Sequence, residues 1–151
     1  MTMTERHLPV LPCMCGNFRR TARALTQLYD QALRPRGLRA TQFTILQFLS
    51  LAGEVSQGQL GAMLAIDSTT LTRTLAIMVR KHWITERRGE DRRERWLRLA
   101  KVGETQFNHA LPAWEKVQSG LRHQLGGKPW KDLLQLTNLV TEVVTTQGDS
   151  L

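Results

Sequence analysis

The stretch from Ser56 to Leu99 constrains the fold of this chain more than any other. SQGQLGAMLAIDSTTLTRTLAIMVRKHW has the periodicity of two short helices joined by a tight turn, and ITERRGEDRRERWLRL follows at once as a basic hairpin. Ser56 and Gln59 have the spacing of a capping box, in which each side chain satisfies the other residue's backbone N–H. Leu60, Met63 and Leu64 then fall on one face. Ala65, Ile66 and Asp67 make the turn, with Asp67 or Ser68 as the cap of the next helix. In that helix Leu71, Leu75, Met78 and Val79 recur at helical spacing and point inward. Thr69, Thr72, Arg73, Ala76 and Arg80 remain on the outer face, which is short, hydroxylated and cationic.

Ile84 to Arg88 and Arg95 to Leu99 have strand character, with Gly89 at the turn and Leu97 and Leu99 alternating toward a core. Glu90, Asp91, Arg92, Arg93 and Glu94 form the tip. Between Arg73 and Arg98 there are nine Lys/Arg against four Asp/Glu, so +5 of the chain's formal +8 lies in 26 residues. A solvated loop of mixed charge needs no such concentration. A helix face of small hydroxyls and arginines fits the major groove of duplex DNA, and an arginine at a hairpin tip is drawn to the negative potential of a narrow minor groove. An acidic neighbour can hold that guanidinium in place, and Asp91 beside Arg93 is the candidate pair.

The motifs GLRATQFTILQFL, SQGQLGAMLAIDSTTLTRTLAIMVRKHWI and DRRERWLRLAKVGE, in that order, resemble the MarR-type winged helix-turn-helix transcriptional regulators. The resemblance covers most of the chain. It implies a mainly α fold with a small β-hairpin wing and N- and C-terminal dimerisation helices. It also implies one MarR-like domain over residues 1–151, in which 38–100 form the DNA-binding region and 1–37 and 101–151 pair two copies. Carried onto this sequence, it places Ser68, Thr69, Thr70, Thr72 and Arg73 on the recognition helix and Arg93 at the wing tip beside Arg92, with Asp91 as its orienting partner. Gln57 and Gln59 stand where the preceding helix touches phosphate. Ala100 departs from the pattern, since the family usually has Thr there as the cap of the helix after the wing. The implied partners are a pseudo-palindromic double-stranded operator and a second copy of the chain. The implied role is a dimeric, sequence-specific repressor released by an effector.

The remaining segments fit a dimerising scaffold. Phe18, Ala22, Leu25, Tyr29, Ala32 and Leu33 form a stripe on a helix that stops before Pro35 and Gly37. A second helix runs from about Thr41 to Leu51 and carries Phe43, Leu46 and Leu49. After the wing, Val102, Phe107, Leu111, Trp114, Val117, Leu121 and Leu125 outline a long helix, in which Pro112 introduces a kink or break and which Gly126 and Gly127 end. Pro129 suits the first turn of a last helix, on which Trp130, Leu133, Leu134, Leu136, Val140, Val143 and Val144 supply more apolar surface than one side of an isolated helix needs. Burial against a partner chain accounts for it.

A pI near 10.5 points to a polyanionic partner. The cations lie in a hairpin, not along an amphipathic helix, and no apolar run approaches spanning length, so membrane binding is disfavoured and a cytoplasmic location expected. No CxxC, Gly-rich phosphate loop, HExxH or GxSxG pattern is present, so neither an enzyme nor a bound cofactor is expected. The rival class is a non-sequence-specific architectural winged helix that binds nucleic acid by charge alone.

For the effector the sequence offers two chemistries. Cys13 and Cys15 precede the first helix, and soft thiolates bind thiophilic metals and are open to oxidation; any metal site would be built on these two. They serve equally well as small apolar residues without a sensory role. His7, His82, His109 and His123 do not add a spaced ligand set, and His82 reads as a surface residue at the end of the recognition helix. The second chemistry is a small aromatic ligand, for which Tyr29, Phe43, Trp96 and Trp114 are available, although aromatics at helical spacing also serve as plain core.

Overall fold

Leu71, Leu75 and Met78, spaced by four and three along one helix, are all buried. The computed structural model describes residues 8–148. Helix α1 (Met14–Leu33) gives way to a 3₁₀ turn at Arg34–Arg36, where Pro35 fixes the backbone. Of the stripe on α1, Leu33 is fully buried, whereas Phe18 and Leu25 remain 41% and 37% exposed. Helix α2 (Ala40–Ala52) is anchored at its start by two side chains. Gln42 accepts the Arg39 N–H at 3.0 Å and Asp30 accepts the Ala40 N–H at 2.7 Å. Phe43, Ile45, Leu46 and Leu49 bury one side of α2, and the Phe43 ring lies 5.1 Å from that of Phe107.

Strand β1 (Val55–Ser56) leads directly into α3 (Gln57–Leu64), and α4 (Ser68–Arg80) follows after a three-residue turn. Strands β2 (Ile84–Arg88) and β3 (Arg95–Leu99) have the bounds that the alternation predicts and pair antiparallel, with Ile84 opposite Leu99 and Arg88 opposite Arg95. The sheet has three strands, not two. Val55 pairs with Leu97 and Ser56 with Trp96, giving the order β1-β3-β2. A two-residue strand has too little alternation to be recognised, so the sequence does not announce it. Its effect is to fasten the wing to the start of α3.

Helix α5 (Lys101–Leu125) continues through Pro112, so of the kink or break expected there the break does not occur. The proline forfeits one backbone hydrogen bond, and the 24 other residues of the helix carry it across. Gly126, at φ 87°, ends α5 by a left-handed backbone. Gly127 does not share that role: it is the first residue of α6 (Gly127–Gly148), with Pro129 in the opening turn. The chain forms two compact units, residues up to Ala110 and residues from Leu111. In the second, none of the described α6 residues is buried, and Leu134, Leu136, Leu139 and Val144 are each more than half exposed.

Candidate nucleic-acid interface

Helices α3 and α4 are each fixed at the start by a side-chain cap. At α3, Ser56 Oγ accepts the Gln59 N–H at 3.1 Å while Gln59 Oε1 accepts the Ser56 N–H at 3.0 Å, which is the expected capping box. Leu60 is buried as its spacing requires, but Met63 is 65% exposed and does not join the inward face. At α4 the cap is Asp67, which accepts the Thr70 N–H at 2.9 Å and the Thr70 hydroxyl at 2.6 Å. Those two bonds, the hydroxyl's first, hold the Asp67 carboxyl below its ordinary pKa of 3.8. The intervening turn needs a left-handed residue, and Ala65 takes it at φ 50°. Helices α3 and α4 consequently meet at 116°, within the range of helix-turn-helix pairs.

Ser68, Thr69, Thr72, Arg73, Ala76 and Arg80 are all exposed along α4. Not all the candidate residues on this face are equally free. Thr70 and Gln59 are committed to caps, and Gln57 donates from Nε2 to Thr72 Oγ1 at 3.0 Å. Gln57 therefore bridges the two helices instead of standing alone toward phosphate. At the far end of α4, His82 is more than a surface residue: at φ 57° it closes the helix, and Trp83 N–H returns to Met78 O at 3.0 Å. The absence of glycine at this position hides the helix stop from a sequence reading.

The wing tip is shaped by Asp91, though not as expected. Its Oδ1 accepts the Arg93 backbone N–H at 3.0 Å, and Glu94 N–H returns to Asp91 O at 2.9 Å. The carboxylate thus organises the turn and is not paired with the Arg93 guanidinium, a local Asx turn being the geometrically nearer bond. Among the described residues Arg73, Arg92 and Arg93 form no ion pair. Arg87, in contrast, is fully occupied. Its guanidinium makes a two-pronged bond to Glu54, at 2.5 and 3.1 Å, and lies 5.3 Å from the Trp96 ring centroid. The hydrogen bond from Arg87 lowers the Glu54 pKa from its ordinary 4.5, and Glu54 in turn raises that of Arg87. Sequence reasoning missed this pair, since 33 residues separate its members.

Between the helix pair and the wing lies an open cleft of about 720 Å³, lined among others by Ser56, Gln57, Ser68, Thr72, Arg93 and Arg95. Seven of the ten candidate DNA contacts, Gln57, Gln59, Ser68, Thr69, Thr70, Thr72 and Arg73, lie on the helix pair, and Asp91, Arg92 and Arg93 lie at the wing tip. Cys13 and Cys15 sit apart, both free and exposed, with Cys13 immediately before α1 and Cys15 in its first turn. Among the described residues no group of three or more His, Cys, Asp or Glu is placed to hold a metal. Phe43 is packed into the core and Trp96 lies beside Arg87, which accounts for two of the four aromatics considered for a ligand pocket. No single described helix is long and apolar enough to cross a membrane.

A capped helix pair crossing at this angle, continued by a three-stranded wing with arginines at its tip, defines a winged helix-turn-helix DNA-binding protein. The MarR family profile matches residues 36–94. The transcriptional regulator MosR of M. tuberculosis, crystallised in complex with DNA, is 33% identical, with 89% of this chain and 97% of that one covered and a TM-score of 0.79. YwoH, an HTH-type transcriptional regulator of Bacillus subtilis, is 28% identical over 107 residues, 71% of this chain and 74% of its own length. A variant of E. coli MarR complexed with operator DNA shares the fold at 21% identity and a TM-score of 0.74, over 84% of this chain and 92% of that one. The chain belongs to the MarR family of transcriptional regulators, which act by binding and not by catalysis.

Proposed function

We propose that the protein is a homodimeric repressor that binds a pseudo-palindromic operator and is released by an effector acting on its thiols. The observation that carries the DNA reading is the cluster of exposed arginines that, among the described residues, form no ion pair, Arg73 and Arg80 on α4 and Arg88, Arg92, Arg93 and Arg98 in the wing, where Arg87 and Arg95 are paired with carboxylates. Free guanidiniums on one helix face and at a wing tip are what groove and phosphate contacts require. The dimer reading is supported by the apolar residues of α1 and α6 that remain exposed in one chain. On this reading 1–37 and 101–151 pair the two copies, 38–100 reads the half-site, and 1–151 works as one unit.

The thiol reading is supported by the setting of Cys13. Asn17 donates to the carbonyls of Leu11 and Cys13, and Arg20 donates to that of Pro9 at 3.0 Å, so the strand of chain before α1 is pinned to the helix. Oxidation or metal capture at two exposed thiols beside these bonds alters that segment, and with it the packing of α1 against a partner. A small aromatic effector is the alternative.

The test is a gel-shift titration of the reduced protein against its own upstream promoter with excess non-specific competitor, repeated after mild oxidant or a thiophilic metal. Competitor-resistant binding that treatment abolishes, and that survives treatment in the C13S/C15S variant, is the expected result. Resistant binding that treatment leaves unchanged refutes the thiol switch and favours the aromatic ligand. Binding erased by competitor alone refutes sequence-specific regulation in favour of an architectural role.

A further inference from the structure

Thr72 is set differently from its neighbours. Threonines inside helices commonly return their hydroxyl to the carbonyl four residues back, as Thr44 does to Ala40, Thr74 to Thr70 and Thr105 to Lys101. Thr70 gives its hydroxyl to Asp67. Thr72 does neither. Its Oγ1 accepts from Gln57 Nε2 at 3.0 Å, and among the described residues its own proton has no protein acceptor. Both side chains line the cleft between the helix pair and the wing.

From this we infer that Gln57 is a positioning residue that sets the polarity of Thr72, so that Thr72 reads a hydrogen-bond acceptor on a base edge in the major groove. The inference rests on the reading of α4 as the recognition helix. A hydroxyl has one proton and two lone pairs, whereas the amide nitrogen of glutamine can only donate. The bond from Gln57 occupies one lone pair and directs the proton away from α3, toward the outer face of α4. In the free protein water accepts that proton. In a complex, water is excluded, and a donor without an acceptor costs more than a second lone pair left idle. The acceptors of the major groove are purine N7, guanine O6 and thymine O4, and the donors are adenine N6 and cytosine N4. Thr72 held by Gln57 selects from the first group at one position of each half-site. Gln57 itself then specifies a base without touching it.

The experiment starts from duplexes selected out of a randomised pool by the full-length wild-type protein. Affinity is next measured for all four base pairs at every position of the selected site. The wild type is expected to favour an acceptor base at one position per half-site by about tenfold, the worth of one net hydrogen bond near the upper end of its usual range. T72V flattens that preference and T72S keeps it. Q57A weakens the preference at the same position and leaves the others unchanged. Q57E is the decisive variant. A carboxylate can only accept, so it takes the Thr72 proton and leaves lone pairs outward, moving the preference at that position toward adenine N6 or cytosine N4. Residue 57 is the first of α3, where an acidic side chain is compatible with the helix, and thermal melts check that each variant is folded. Uniform loss of affinity in Q57A and Q57E across all duplexes, with the preference at every position intact, overturns the inference and makes Gln57 a backbone contact. Failure of the wild type to select any sequence overturns the recognition-helix reading itself, a different outcome from the first.

Discussion

Gly103, early in α5, gives the most direct test of how the wing is joined to the helix behind it. A Cβ built there would lie 1.9 Å from Trp83 O, 2.7 Å from Trp83 C and 3.0 Å from Leu99 Cδ1. The first two neighbours are backbone, so no rotamer change relieves the overlap. Bringing the oxygen out even to 3.0 Å requires α5 and the Trp83 peptide to separate by about 1.1 Å. The same oxygen accepts the Ala100 N–H at 2.9 Å, a bond that closes the base of the wing. For G103A, losing that bond costs about 1 kcal/mol and overpacking about 2 kcal/mol more, while the gain in helix propensity returns about 1 kcal/mol. The net loss of about 2 kcal/mol lowers Tm by roughly 4–8 °C for a chain of this size. G120A is the control, because Gly120 lies in the same helix with nothing within 4 Å of its Cβ. It should be stabilised by about 0.5–1 kcal/mol through propensity alone. Thermal melts followed by circular dichroism, at one fixed protomer concentration, compare the three proteins. A G103A Tm equal to or above the wild-type value would refute the close approach of α5 to Trp83.

Replacing Arg73 or Arg93 with alanine should weaken operator binding by about 1–3 kcal/mol without moving Tm, as read by gel shift and melts; unchanged affinity in both variants removes the docking model. E54Q releases Arg87 and is expected to lower Tm at pH 7. Because the folded Glu54 pKa lies below its ordinary 4.5, the advantage of wild type over E54Q is full above that pH and fades as pH falls through the folded value. Melts at pH 7 and pH 3 check the sign, and a Tm difference that persists unchanged at pH 3 contradicts it. A65G should raise stability by about 0.5–1 kcal/mol, since glycine adopts the left-handed turn between α3 and α4 without the penalty carried by a Cβ at φ 50°. A lower urea midpoint for A65G would show that this turn is not strained.

Elements set by local periodicity were legible in the sequence. The apolar spacing of Leu71, Leu75 and Met78 requires a helix, and the alternation around Leu97 requires a strand, because both patterns repeat within one or two turns of the chain. Terminators were legible where glycine or proline marks them, as at Gly126, and hidden where another residue does the same work, as His82 does. Pro112 does not end its helix, since a local cost of one hydrogen bond does not outweigh a 25-residue helix.

The site divides along the same line. Which side chains stand on the outer face of α4 follows from a period of 3.6, and the structure leaves Thr69, Thr72 and Arg73 exposed there. What those side chains are free to do depends on bonds that no period encodes. Gln57 reaches Thr72 across 15 residues, and Glu54 reaches Arg87 across 33. On the proposed reading the first bond decides which way the Thr72 hydroxyl points, and the second, with the β1 pairing to β3, ties the wing to the end of α2 and the start of α3. If α4 reads DNA as proposed, its functional groups follow from its own sequence, but the orientation of the Thr72 hydroxyl depends on a residue outside that helix. Substitutions at Gln57 and Glu54 should therefore alter DNA reading although neither residue belongs to α4 or to the wing tip.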